Sequence, residues 1–360
     1  MSGRDLDDRL VESGIDLGAM AIEWGARPER TRSIAVTGRD LKLLRFLHDF
    51  NYASTSTLAA FFWGRYSSAA RERLKLLHDA GFIDKLRPAV GRTRGPAEWI
   101  YRLTTPGWRA LTDWGEPADG FPFRPARLTS IAYVEHDVQV AALLAVVAGH
   151  AAEWHGRKGP LLDVAPFVVA GPRSGRIDFK GVHTPSPARS SRAPSVGASL
   201  RVGRPRCLLE PDATLTGVTT DGRTTSVLIE YDRTGRPSKQ TDRLRRYDTF
   251  LNFGWRTSDH CQLDIEPAVL FVCRDPRRAA ALAYVADSTL TASAGSSEPA
   301  EYVGREQIGF TSRGQVLASS DHVLQVAPQP TSGASRSAIV ARRTFCLATL
   351  FISRLAERSS

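Results

Sequence analysis

The sequence predicts an α/β (α+β) protein built from two domains. Three observations lead there. Residues 37–111 read as three short helices, a strand pair and a closing helix. Residues 131–149 are one strongly apolar helical run. Residues 207–285 alternate strands and helices, with acidic residues where strands end. The 360-residue length suits two domains, and a hydrophobic fraction of 42% is ordinary for a globular chain.

The elements follow in order. Residues 1–30 carry 4 basic and 7 acidic residues and read as a leader, partly disordered, with room for one short helix. Their polar start does not fit a secretory signal. From Arg39 to Phe50, Leu41, Leu44 and Leu47 share one helical face, and Asn51-Tyr52 breaks the pattern. Thr55 caps a second helix that runs to Phe62. Ser67 to Ala80 is a third, with Ala70, Leu74 and Leu77 inward and Gly81 as its stop. Phe82 to Arg87 and Trp99 to Leu103 read as strands around a basic turn, and Thr105 to Trp114 as the closing helix.

That order is a winged helix-turn-helix, assigned to residues 31–115. The segment holds 14 basic and 7 acidic residues, a net +7. Arg65 and Ser67 stand at the start of the third helix, where N-terminal side chains and backbone N–H groups meet phosphates. Arg71 and Lys75 follow on one face, and Arg92 and Arg94 occupy the tip of the wing. These six are candidate contacts to double-stranded DNA, through phosphates rather than base edges. A charged face used for protein contacts is the other reading of the same residues.

Residues 116–130 read as a linker and residues 131–330 as the second domain. Within it, residues 171–205 are rich in Ser, Pro, Gly and Arg and are expected to be a disordered insertion. Residues 331–360 are expected to be a C-terminal helix and tail, with the helix near 337–357. Leu228-Ile229-Glu230-Tyr231-Asp232 is an apolar strand ending in two acids that face the same way. Asp212 follows Pro211 on the preceding strand. Convergent carboxylates repel one another unless a hard cation neutralises them, and Mg²⁺ prefers oxygen ligands. Asp212 and Glu230 are therefore candidate metal ligands, with Glu135 at the start of the apolar helix as a further acid. Such a cation activates water and stabilises charge on a phosphate, which makes Asp212, Glu230 and Asp232 candidate catalytic residues.

Register bears on this set. A two-residue turn at Asp221-Gly222 puts Asp212 opposite Tyr231, on the wrong face, whereas an odd-length loop puts it opposite Glu230 or Asp232. The alternative is an acid cluster bonded to Arg236, Lys239, Arg243, Arg245 and Arg246 with no metal. His136 reads as a hydrogen-bonded structural residue, since no second histidine sits at ligand spacing.

Several motifs carry a resemblance. In the first domain they are Val36-Thr37-Gly38-Arg39-Asp40, Ala69 to Leu77, Gly81-Phe82-Ile83 and Tyr101 to Gly107. In the second they are Glu135-His136-Asp137, Pro211-Asp212-Ala213, Glu230-Tyr231-Asp232-Arg233, and Leu244 with Tyr247. In order and spacing the chain resembles the replication-relaxation family of plasmid and conjugative-element proteins, from residue 36 to about 285 without the insertion. The resemblance implies a second domain similar to the restriction-endonuclease-like PD-(D/E)xK superfamily, with Asp212 and Glu230 as metal ligands. The lysine of that superfamily falls at Asp232, a departure, and Lys239 on the next helix is the candidate substitute. Without a lysine, stabilisation of transition-state charge weakens. No tyrosine with a histidine triad is present, so a rolling-circle relaxase mechanism is not supported.

The expected function is DNA binding in replication or mobilisation of a plasmid or integrated element, with metal-dependent nicking as an open addition. The alternative is a non-enzymatic initiator or transcriptional regulator with a degenerate nuclease-like domain. Expected partners are duplex DNA and replication or conjugation proteins, with a homodimer among the options. Cys207, Cys261, Cys273 and Cys346 lack paired spacing and suit reduced thiols in a cytoplasmic setting, and no membrane is expected. From composition, residues 181–200 should be the first cut in limited proteolysis of the full chain. Mass mapping of early fragments checks this, and first cuts elsewhere would overturn it.

Overall fold

The computed structural model describes residues 22–26, 33–64, 67–88, 98–114, 131–154, 159–161, 167–180, 206–218, 223–232, 240–258, 263–291, 307–318, 323–326 and 343–346. The chain is mixed α/β and divides into two compact units. One comprises residues 1–145 and 157–164, the other residues 146–156 and 165–360.

The N-terminal unit begins with β1 (Ile22–Trp24), then α1 (Gly38–Phe50), β2 (Ala53–Ser54), α2 (Thr55–Trp63) and α3 (Ser67–Asp79). Next come β3 (Ile83–Pro88), β4 (Ile100–Leu103) and α4 (Thr105–Asp113). Thr37 starts α1 with a capping box, exchanging hydrogen bonds with Asp40. Asn51 ends it in the left-handed region at φ 62°, a conformation Asn tolerates. Ser54 and Thr104 cap α2 and α4 through their side chains. Leu44, Leu47, Leu58, Phe61, Ala70, Leu74 and Leu77 are buried, with Phe46 stacked on Phe50. The strands form one sheet in the order β1-β3-β4-β2.

The helices and hairpin fall where periodicity places them. One part of the expected leader does not. Ile22–Trp24 lies antiparallel to β3, with Glu23 opposite Arg87, so this part of the expected leader is sheet. The apolar helix, α5 (Ile131–Trp154), also departs from expectation. Its residues up to Ala145 belong to the N-terminal unit, where Val134 and Val138 pack with Tyr52, Leu86 and Ile100. The 18-residue stretch Ala132–Gly149 has a mean hydropathy of 1.2, so α5 is long and apolar enough to cross a membrane by length and composition. It nonetheless carries Glu135 and Asp137 near its start.

The C-terminal unit holds β5 (Phe167–Ala170), β6 (Ile177–Lys180), β7 (Arg206–Leu209), β8 (Ala213–Val218) and β9 (Thr224–Asp232). These are followed by α6 (Thr241–Thr249), which runs on through a π-helical turn at Phe250–Gly254 and a 3₁₀ turn at Trp255–Thr257. Then come β10 (Ala268–Cys273), α7 (Pro276–Thr291), β11 (Ile308–Ser312), α8 (Arg313–Ala318), β12 (Val323–Val326) and β13 (Arg343–Cys346). The main sheet has the order β11-β10-β9-β8-β5; β9, β10 and β11 are parallel, and β8 is antiparallel to both β9 and β5. Every residue of β10 is buried, as expected of a strand covered on both faces.

Three boundaries are corrected. The expected strand at 207–217 is two strands, β7 and β8, broken at residues 210–212. The insertion does not begin at residue 171, because Ile177–Lys180 is a strand paired with β7 whose Phe179 joins the core. Residues 181–205 lie outside the described residues. Residues 343–346, expected within a helix, are a strand paired with β12. Segment length explains the last miss, since a short apolar run fits either element until its partner is known.

Gly107 in the Thr-Pro-Gly sequence has a steric reason: a Cβ there would stand 2.1 Å from the Phe82 carbonyl oxygen. Gly107→Ala should cost about 1–3 kcal/mol of stability, the usual range for overpacking. Gly149→Ala, with nothing within 4 Å of its Cβ, should be neutral or stabilising by up to ~1 kcal/mol. Denaturant melts of the full chain check the pair, and equal effects would refute the close-approach argument.

Candidate functional site

The C-terminal candidate site is built where β8 and β9 meet. Pairing of Ala213 with Ile229 and of Val218 with Thr224 fixes the register. Continued by one residue, it sets Asp212 opposite Glu230, the arrangement of an odd-length loop. Asp212 Oδ2 accepts the Tyr231 N–H at 2.8 Å. Asp264 clips the other end of β9, accepting the Thr224 N–H at 2.8 Å.

Glu230 is fully buried. Its Oε2 accepts from Arg243 Nη1 at 2.7 Å, and its Oε1 accepts from the Tyr247 hydroxyl at 2.5 Å. Burial pushes the Glu230 carboxyl up to about 8, and the adjacent Asp212 carboxylate adds to the rise, against Arg243 and Tyr247. One guanidinium thus faces two neighbouring carboxyl groups. Asp232 is also buried. Gln240 Nε2 donates to its Oδ1 and Arg278 Nε to its Oδ2, both at 2.8 Å.

Helix α6 and the residue before it supply most of these partners. Gln240, Arg243 and Tyr247 fall on one helical face at i, i+3 and i+7. Leu244 and Tyr247 are fully buried, and the Tyr247 ring meets Phe271 edge-on with centroids 5.9 Å apart. Arg278 comes from α7, 46 residues beyond Asp232, and its Nη2 is buried with no hydrogen-bond partner among the described residues. Cys273, at the end of β10, is no nucleophile at neutral pH, because burial pushes its thiol up to about 12.

The sequence-expected residues are distributed as follows. Asp212, Glu230 and Asp232 come together at one end of β8 and β9. Lys239 lies outside the described residues. Glu135 belongs to the N-terminal unit, where its neighbour Asp137 accepts from Asn51 Nδ2 at 3.1 Å and faces His136 Nδ1 at 3.2 Å. The Glu-His-Asp motif thus ties α5 to the end of α1. Sequence reasoning assigns Arg278 and Gln240 no role and names Arg243 only as one of several basic residues; the spacing of Gln240, Arg243 and Tyr247 is the signal that could have found Gln240 and Arg243, whereas none marks Arg278.

Mg²⁺ requires ionised carboxylate oxygens free to turn toward it. Both Glu230 oxygens and both Asp232 oxygens hold protein donors. The described residues contain no group of three or more His, Cys, Asp or Glu arranged to hold a metal ion. As placed, these side chains do not fit the cation.

In the N-terminal unit, α3 sorts its basic residues. Arg73 donates to the buried Asp40 through Nε at 2.9 Å and also through Nη2. Burial alone would raise the Asp40 carboxyl, but hydrogen bonds from Arg73 and Thr37 hold it below its usual value. Arg71 and Lys75 are exposed, and Lys75 Nζ reaches Asp79 at 2.5 Å. On β3, Lys85 and Arg87 lie over the Trp99 ring, at 5.1 and 4.7 Å from its centroid. Ser67 starts α3, and Arg65, Arg92 and Arg94 lie outside the described residues.

A family model described as replication-relaxation matches residues 44–261, more than half of the chain. The chain belongs to the replication-relaxation family. Membership ties it to replication or mobilisation of mobile elements. No curated protein and no solved structure matches it. The family match takes in Asp212, Glu230, Arg243 and Tyr247 but ends before Arg278.

The Glu230 environment sets a pH slope. Below the ordinary value of 4.5 the carboxyl is protonated in folded and unfolded chains alike, and its contribution is fully present. Between 4.5 and about 8 the unfolded chain ionises while the fold retains the proton, so stability falls as pH rises. Relative to Glu230→Gln, the wild type should lose on the order of a few kcal/mol across that window. Denaturant melts at several pH values check this; parallel profiles would show that Glu230 is ionised throughout.

Proposed function

We propose that this replication-relaxation protein binds duplex DNA through its N-terminal unit, used as a winged helix, in the replication or mobilisation of a plasmid or integrated element. The observation that carries the reading is the two-faced α3. Ala70, Leu74 and Leu77 are buried on one side, and Arg71 and Lys75 are exposed on the other. Arg73 is tied to the buried Asp40, and Lys75 pairs with Asp79 while staying exposed. A cationic helix face beside a hairpin bearing Lys85 and Arg87 suits the phosphate backbone of a duplex. Such work belongs in the cytoplasm, where the DNA is.

The resemblance to a PD-(D/E)xK-like scaffold is supported by Asp212 and Glu230 on neighbouring strands, with an ion pair, Asp232 to Arg278, where that scaffold keeps its lysine. A degenerate scaffold that supports DNA binding, without cutting, is the reading these contacts favour. It rests on the partners of the acids rather than on the fold.

Fluorescence anisotropy with the full chain tests the proposal, because an isolated 31–115 fragment would lose β1 and the packing of Val134. Affinity should fall steeply with salt. Arg71→Ala with Lys75→Ala should weaken binding and lower the slope of log affinity against log salt by roughly 0.9 for each phosphate that is no longer neutralised. Unchanged affinity and slope would remove α3 from the interface.

A further inference from the structure

We infer that the Arg243 guanidinium is the resident cation of the Asp212–Glu230 carboxyl pair, so that the C-terminal unit holds these acids together without a divalent metal. Carboxylates on neighbouring strands need positive charge between them, and two sources can supply it: a bound metal or a side chain. Here the side chain is in place. Arg243 Nη1 stands 2.7 Å from Glu230 Oε2, within an ion pair whose acid is buried. Both Glu230 and Asp212 act on the charge of Arg243.

The remaining oxygens point the same way. Tyr247 holds the other Glu230 oxygen, and the Tyr231 N–H holds Asp212 Oδ2. At the next outward position of β9, Gln240 and Arg278 hold both oxygens of Asp232. A metal entering this cluster would have to displace Arg243 and break the Tyr247 bond. The arrangement is built by helix geometry, since Gln240, Arg243 and Tyr247 share the face that α6 presents to the acids. A lysine-for-metal partnership, in which a side chain assists a bound ion, is replaced by a guanidinium in the ion's own role.

The test uses the full chain. Titration with Mn²⁺, followed by its electron paramagnetic resonance signal, should show no stoichiometric binding that depends on Asp212 or Glu230. Millimolar Mg²⁺ should leave the melting temperature unchanged. Arg243→Met should lower the melting temperature, because it strands a buried acid. Adding Glu230→Gln should recover part of that loss, because the Asp212 carboxylate alone is then left without the guanidinium. Stoichiometric Mn²⁺ binding that vanishes in Asp212→Asn would overturn the inference. So would losses in the double variant equal to the sum of the singles, or Mg²⁺-dependent nicking of supercoiled plasmid that Glu230→Gln abolishes. Should Arg243→Met fail to fold, the wild-type Mn²⁺ titration decides by itself. DNA affinity is a separate readout, so failure here leaves the α3 interface standing.

Discussion

A carboxyl group with 1% exposure in the middle of a sheet constrains the C-terminal unit more than any other contact. Leaving such a group uncompensated costs several kcal/mol. The strand cannot offer compensation, because its neighbours at Ile229 and Leu228 are apolar and buried. It comes from α6, which must therefore sit against β9 with Arg243 and Tyr247 inward. Leu244, Phe250 and Leu251 extend that placement into the core, and the π-helical turn after α6 lets the chain pass Phe179, whose ring leaves no space for a Cβ at Gly254.

The N-terminal unit meets the same requirement on a smaller scale. Asp40 is buried at the first turn of α1, favourable for an acid at a helix start, and Arg73 reaches it from α3. The bond joins two helices that periodicity alone would leave free to slide. It also decides which basic residues of α3 remain outside. A solvated arginine and a structural arginine are indistinguishable in composition, and the +7 of residues 31–115 includes both kinds.

Much of this is legible in the amino-acid sequence. The helices of residues 38–113 follow from apolar spacing, capping residues and a glycine stop, and they end within a residue or two of expectation. The convergence of Asp212 with Glu230 follows from strand parity and an odd-length loop. What escapes has physical causes. Ile22–Trp24 is three residues long and gains its strand identity only from β3. Ile177–Lys180 sits beside a Ser- and Pro-rich stretch whose composition masks it. Arg278 is the partner of Asp232 across 46 residues, a distance over which sequence carries no pairing signal. Leu244 and Tyr247 stand out only by resemblance, and their reason, a buttress for Glu230, is tertiary.

The parallel strands bear on how the chain comes together during synthesis. The β8–β9 hairpin is local and forms as soon as both strands have emerged, but β10 reaches β9 only after α6 and the following turns are complete, and β11 arrives later still. Until then β9 presents an open hydrogen-bonding edge, flanked by the apolar run Val227 to Ile229. Asp232 at its end gains its ion pair with Arg278 only once α7 has been made. A nascent chain stalled between these points carries an open strand edge, and the acids at the end of β9 make that edge less prone to pair with another chain.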